Sequence, residues 1–142
     1  MKKLMLFMGV LLSLVIAGCG SDSSHDSNVS LPVLAPTTIS GKSIKGTITS
    51  GTGGFASSGK MMYVASSTDN KYKVLGDAIN TINTNGTFSY TANNNKATIT
   101  FDDSVIGKGN YHLTFTSKTA GTYTADAQQS TFAKATGSFE VL

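Results

Sequence analysis

Hydrophobic and polar positions along this chain fall into three regimes. Leu4 to Ile16 is a nearly unbroken apolar run behind Lys2 and Lys3, residues 20 to 30 are almost wholly polar, and from Ile39 onward the two kinds alternate. Alternation with a period of two marks strands with one buried face, because successive side chains point to opposite sides of a sheet. Ile44, Gly46 and Ile48 alternate with Lys45 and Thr47, Phe88 and Tyr90 with Thr87 and Ser89, and Ile99 and Phe101 with Thr98 and Thr100. The clearest strand is Tyr111 to Ser117, with Tyr111, Leu113 and Phe115 on one face and His112, Thr114 and Thr116 on the other. Met61 to Ala65 and Lys71 to Leu75 are shorter runs around the turn-like Ser66 to Asn70, and Gly121 to Ala125 and Gly137 to Leu142 close the chain. Asn85-Gly86 reads as a turn, and Gly51 to Gly59 as a flexible loop between the first two strands, at a barrel mouth. Asp77 to Ile82 is the one candidate helical turn, with Asp77 as its cap.

About eight short strands separated by Gly, Asn and Ser turns predict an all-β fold, a small antiparallel up-and-down barrel, with a β-sandwich as the alternative. No amphipathic run reaches ten residues, so parallel βαβ units are excluded. With no Trp and a single Cys, the immunoglobulin-type Cys…Trp…Cys core is excluded as well. The chain divides into a leader (1–18), Cys19 with a flexible tether (19–40) and an antiparallel β domain (41–142). The tether is polar from Gly20 to Asn28, then extended from Leu31 to Pro36, because each proline biases its predecessor away from helix. Twenty such residues reach roughly 65–70 Å when stretched and average about 25 Å when flexible.

Charge narrows the choice of partners. The sequence pI is about 9.0, but two of the eleven lysines lie in the leader, leaving nine lysines against eight acidic residues. There is no arginine, the usual reader of phosphates and base edges, and no lysine cluster along the chain replaces it. Nucleic acid is therefore excluded as an expected partner. The Thr, Ser, Asn and Gly content, with only 13% charged residues, suits an exported β protein.

Leu14-Val15-Ile16-Ala17-Gly18-Cys19, behind a positive n-region and an apolar stretch too short to span a bilayer comfortably, resembles the lipobox of bacterial lipoproteins. The resemblance implies a signal peptide ending at Gly18, a diacylglycerol with palmitate-type chains on Cys19, and attachment to a membrane of the cell envelope. Gly20 and Ser21 after the cysteine, where an Asp would imply inner-membrane retention, point to the outer membrane in a Gram-negative host. A second resemblance covers residues 85 to 142. Asn85 to Tyr90, Asn94 to Phe101, Tyr111 to Ser117, Ala120 to Thr124 and Gly137 to Val141 are similar to small bacterial lipoproteins with calycin-like, lipocalin-resembling barrels; residues 39 to 84 depart from that pattern. The likeness implies a fold more than an activity.

Few residues carry candidate chemistry. Gly54 to Met61 imitates a phosphate-binding loop, but Met61 stands where a hydroxyl must ligate Mg²⁺, and a strand follows where a helix is needed. His112 is the one histidine of the folded part and reads as an outward strand residue; alone it makes neither a metal site nor a triad. Asp102-Asp103-Ser104, with Asp126, is a thin candidate for a cation site and is more simply a turn. Asn28-Val29-Ser30 and Asn85-Gly86-Thr87 match a glycosylation acceptor, a modification rare in bacteria. The aromatics matter most. Tyr63, Tyr72, Phe88, Tyr90, Tyr111, Phe115 and Tyr123 either fill the barrel or line a cavity for an apolar or glycan-like ligand.

The resulting expectation is a lipid-anchored, non-enzymatic binding or interaction module without a cofactor. Its partners would be the membrane and an envelope protein. The alternative is a carrier of a small apolar or glycan-like ligand. A weaker third reading is a hydrolase or isomerase built on Asp102, Asp103 or His112.

Overall fold

The computed structural model describes Pro32 and residues 34–76, 83–128 and 133–142. Cys19, the stretch read as a leader, most of that read as a tether and the helical turn read at Asp77 to Ile82 lie outside the described residues. Eight strands follow in order: β1 (Ser43–Gly51), β2 (Gly59–Ala65), β3 (Lys71–Gly76), β4 (Thr84–Asn93), β5 (Lys96–Asp103), β6 (Gly107–Phe115), β7 (Ala120–Ala127) and β8 (Ala133–Val141). Each pairs antiparallel with its sequence neighbour, and β8 returns to β1 with Ile44 opposite Val141, so the sheet closes as an up-and-down barrel. The sandwich alternative is thereby overturned. One sheet whose ends pair with each other leaves no free edge and needs no second layer.

Period two carries through to burial. β8 alternates buried and exposed without a break from Ala133 to Val141, and β6 does so from Lys108 onward apart from a half-buried Asn110. Inward residues from all eight strands form one core, with Phe101, Phe115 and Val74 fully buried.

Both ends of the barrel are covered. At one end Ile39 is wholly buried and Ala35 nearly so, while Leu34 and Ala35 donate their amides to the Asn94 carbonyl. Core packing thus reaches back into the segment read as tether. At the other end the Gly51 to Gly59 connection, expected to be flexible, is tucked in. The Thr52 amide bonds to the Lys134 carbonyl, and Phe55, 4% exposed, sets its ring edge-on to Tyr111 at 6.3 Å. An apolar ring in this connection has more to gain from the open barrel mouth than from water.

The Asn85-Gly86 turn is also corrected. Both residues lie inside β4, Asn85 opposite Lys73 and Gly86 opposite both Tyr72 and Asp103. Glycine is needed there for proximity, not for a turn, since a Cβ on Gly86 would stand 2.1 Å from the Asp102 carbonyl oxygen. The tight turn comes nine residues later at Asn94-Asn95, where Asn94 adopts a positive φ of 53°, a conformation asparagine tolerates better than most residues.

Candidate functional site

The aromatic residues read as cavity lining do converge, and they fill the space they surround. Tyr63, Tyr72, Phe88, Tyr111, Phe115 and Tyr123 are all buried; Tyr90 is half-buried and spends its hydroxyl on the Pro36 carbonyl at 2.8 Å. Tyr63 stacks on Tyr72 at 4.6 Å, and Tyr111 meets Phe101 at 5.1 Å, Tyr123 at 5.7 Å and Tyr63 at 6.4 Å. Such pairs contribute about 0.5–1.5 kcal/mol each beyond the area they bury. Among the described residues, a void of about 20 Å³ lies in the interior between Ile44, Met61, Tyr63, Ile99, Tyr111, Leu113, Tyr123 and Phe139. Pockets for small organic ligands are of the order of 300–1,000 Å³.

The phenols bear the electrostatic consequence. Burial pushes the hydroxyls of Tyr63, Tyr72 and Tyr111 far above the ordinary tyrosine range and raises those of Tyr90 and Tyr123 to about 12. For Tyr72 the hydrogen bond to Asp103 adds to burial, because it holds the proton on the phenol. The Tyr63 and Tyr123 hydroxyls are buried with no hydrogen-bond partner.

Asp103 is where sequence reading missed a site. The strand β5 runs through it, so it points inward while Asp102 points out, and the turn begins only at Ser104. Its carboxylate, 6% exposed, accepts the Tyr72 hydroxyl on Oδ2 at 2.6 Å and the Thr84 hydroxyl on Oδ1 at 2.7 Å. Oδ1 also accepts the amides of Val105 at 2.8 Å and Ile106 at 3.1 Å. Four donors compensate a buried charge that would otherwise be prohibitive. This carboxylate ties β3, β4 and the β5–β6 turn together. Both of its oxygens are engaged by the fold's own donors, so it acts as a latch within the barrel wall.

The remaining candidates separate. His112 stands on the outer wall with its Nε2 3.3 Å from Asp126 Oδ1, both side chains about half exposed. The Asn110 amide reaches the other Asp126 oxygen at 3.5 Å and accepts the Thr100 hydroxyl at 3.0 Å. Asp102, Asp103 and Asp126 therefore share no site, and among the described residues no three His, Cys, Asp or Glu side chains gather to hold a metal ion. A shallow groove of about 590 Å³ crosses β4 to β6 between Ser89, Thr100, Asn110 and Gln128.

These features define a closed eight-stranded antiparallel barrel, consistent with a calycin-like fold, whose interior is core. Compared with protein-family models, curated proteins and solved structures, the chain has no match.

Proposed function

We propose that this chain is a lipid-anchored cell-envelope protein acting as a non-enzymatic binding or interaction module through the outside of its barrel. The observation that carries the reading is the filled interior. A void of about 20 Å³ between apolar and aromatic side chains leaves the outer wall and the loops as the surfaces with room for a partner. The same observation weighs against the carrier reading. The anchor is supported by the lipobox-like Leu14 to Cys19, and the outer membrane by Gly20 and Ser21. An enzymatic reading gains little from His112 and Asp126, which sit about half exposed on the outer wall with no activated nucleophile beside them among the described residues.

Metabolic labelling with a palmitate analogue tests the anchor. The wild-type chain should take up label and partition with membranes, and Cys19→Ser should lose both. A Cys19→Ser chain that keeps both label and membrane association would refute it. Native mass spectrometry of the purified chain tests the module against the carrier, for which a stoichiometric co-purifying small molecule would be decisive.

A further inference from the structure

Charge is spread unevenly around the barrel. Strands β1, β2 and β3 contain no Asp or Glu, yet their outer faces carry Lys45, Lys60, Lys71 and Lys73, all exposed. Elsewhere acids and lysines meet or are absent: β5 and β8 carry both signs, Lys108 of β6 lies 4.0 Å from Asp102, Asp126 of β7 lies opposite Lys134, and β4 holds no charge. Separated along the chain, the four lysines form no cluster in sequence; strand register makes one.

Register also sets apolar side chains among them. Lys45 lies opposite Met62, and Met62 opposite Leu75. Two residues along, Ser43 lies opposite Val64 and Val64 opposite Lys73, while Lys60 precedes Met62 on the same face. Leu75 is 44% exposed, and Met62 and Val64 are half-buried. Among the described residues two carboxylates approach this wall. Asp69, in the β2–β3 turn, pairs with Lys71 at 3.1 Å, and Glu140 on β8 faces Lys45. Lys60 and Lys73 have no ion pair among the described residues. Beside β3 the wall opens into a groove of about 440 Å³ edged by Lys71, Lys73 and Asn85.

We propose that the outer wall of β1 to β3 is a membrane-docking face, which lays Met62, Val64 and Leu75 against an anionic phospholipid surface with Lys45, Lys60 and Lys73 on its headgroup phosphates. Lysine stems cover apolar surface while their ammonium groups stay at the polar boundary, which suits this interleaving. The apolar patch is three side chains, too small for a stable protein interface of about 800 Å² per partner. A lipid surface needs less, because an anchor already holds the wall close to it at high effective concentration. The use of the face in the cell thus rests on the anchor reading proposed above; its chemistry does not.

The test is co-flotation of the chain from residue 19 onward, carrying Cys19→Ser, with phosphatidylcholine vesicles with and without phosphatidylglycerol. Every strand of the closed barrel lies between Ser43 and Val141, so the chain from residue 19 onward holds the whole barrel. It should float with the mixed vesicles, be released by salt, and stay behind with phosphatidylcholine alone. Each lysine near an anionic surface is worth about fivefold in partitioning, so Lys45→Gln/Lys60→Gln/Lys73→Gln should lose about a hundredfold. Lys96→Gln/Lys108→Gln/Lys134→Gln removes equal charge from the other walls and should stay within about twofold of the parent. Equal losses in the two variants, or no flotation with mixed vesicles, would overturn the proposal, the latter leaving the wall to an acidic protein surface. Because the assay uses an unacylated chain, its failure leaves the anchor standing. An unmodified Cys19 in the intact protein refutes the anchor without touching the assay.

Discussion

At the scale of single residues, the five tyrosines fall into different classes although they look alike in sequence. Tyr72 donates a hydrogen bond to a buried carboxylate at 2.6 Å, whereas Tyr63 and Tyr123 bury hydroxyls that have no hydrogen-bond partner. Hydrogen bonds to charged groups contribute about 1.5–3 kcal/mol, and an orphan buried hydroxyl costs about 1–3 kcal/mol. The same chemical change should therefore act with opposite sign. Tyr72→Phe is expected to lower unfolding free energy by about 1.5–3 kcal/mol, since it takes one of four donors from Asp103. Tyr123→Phe is expected to be neutral or stabilising by about 1 kcal/mol. Urea denaturation of the two variants checks the pair. A destabilised Tyr123→Phe would mean that its hydroxyl has a partner, such as an ordered water, in the interior.

At the scale of the strand, glycine does as much as the aromatics to shape the barrel. Gly109 in β6 sits where a Cβ would stand 2.1 Å from the Asp126 carbonyl oxygen and 2.5 Å from Cζ of Phe101. The missing side chain lets β7 approach and leaves room for an aromatic ring across the register pair Phe101–Gly109. Gly109→Ala should therefore cost about 1–3 kcal/mol, although alanine in a strand ordinarily gains stability over glycine. A shift of the urea midpoint to lower concentration measures it, and an upward shift would show slack between β6 and β7. Such glycines explain why some elements were legible and others not. Tyr111 to Phe115 announces its strand because alternation is a local signal, and the filled core follows from it. Asn85-Gly86 misleads because a turn glycine and a close-approach glycine are written alike. Asp103 reads as a turn acid because its partners Tyr72 and Thr84 come from other strands, and Ile39 and Phe55 become plugs only once a barrel exists to be stoppered. The lysines of β1 to β3 are likewise joined by register alone.

At the scale of the whole molecule, the tyrosine core ties stability to alkaline pH. Burial raises the pKa of the four interior tyrosines, Tyr63, Tyr72, Tyr111 and Tyr123, so in this range the folded barrel holds protons that the unfolded chain gives up. Stability from this source is complete below the ordinary tyrosine value of about 10 and is lost as pH rises above it. The loss runs on to about 12 for Tyr123 and beyond that for the other three. Each phenol still protonated in the barrel and ionised in the unfolded chain removes about 1.4 kcal/mol per pH unit. Four together approach about 5–6 kcal/mol per unit, and a typical domain holds only about 5–15 kcal/mol. Within one to three units above pH 10, then, the barrel should open in a single transition. Tyrosinate absorbance from the interior residues should rise with the loss of strand signal in far-UV circular dichroism, not before it. Half-buried Tyr90 should titrate at about 12 if the fold survives that far. Interior tyrosines that ionise near their ordinary value while the strands persist would mean that water enters the barrel. That would weaken the case for a filled core and return the carrier reading to consideration, so one alkaline titration bears on both stability and function.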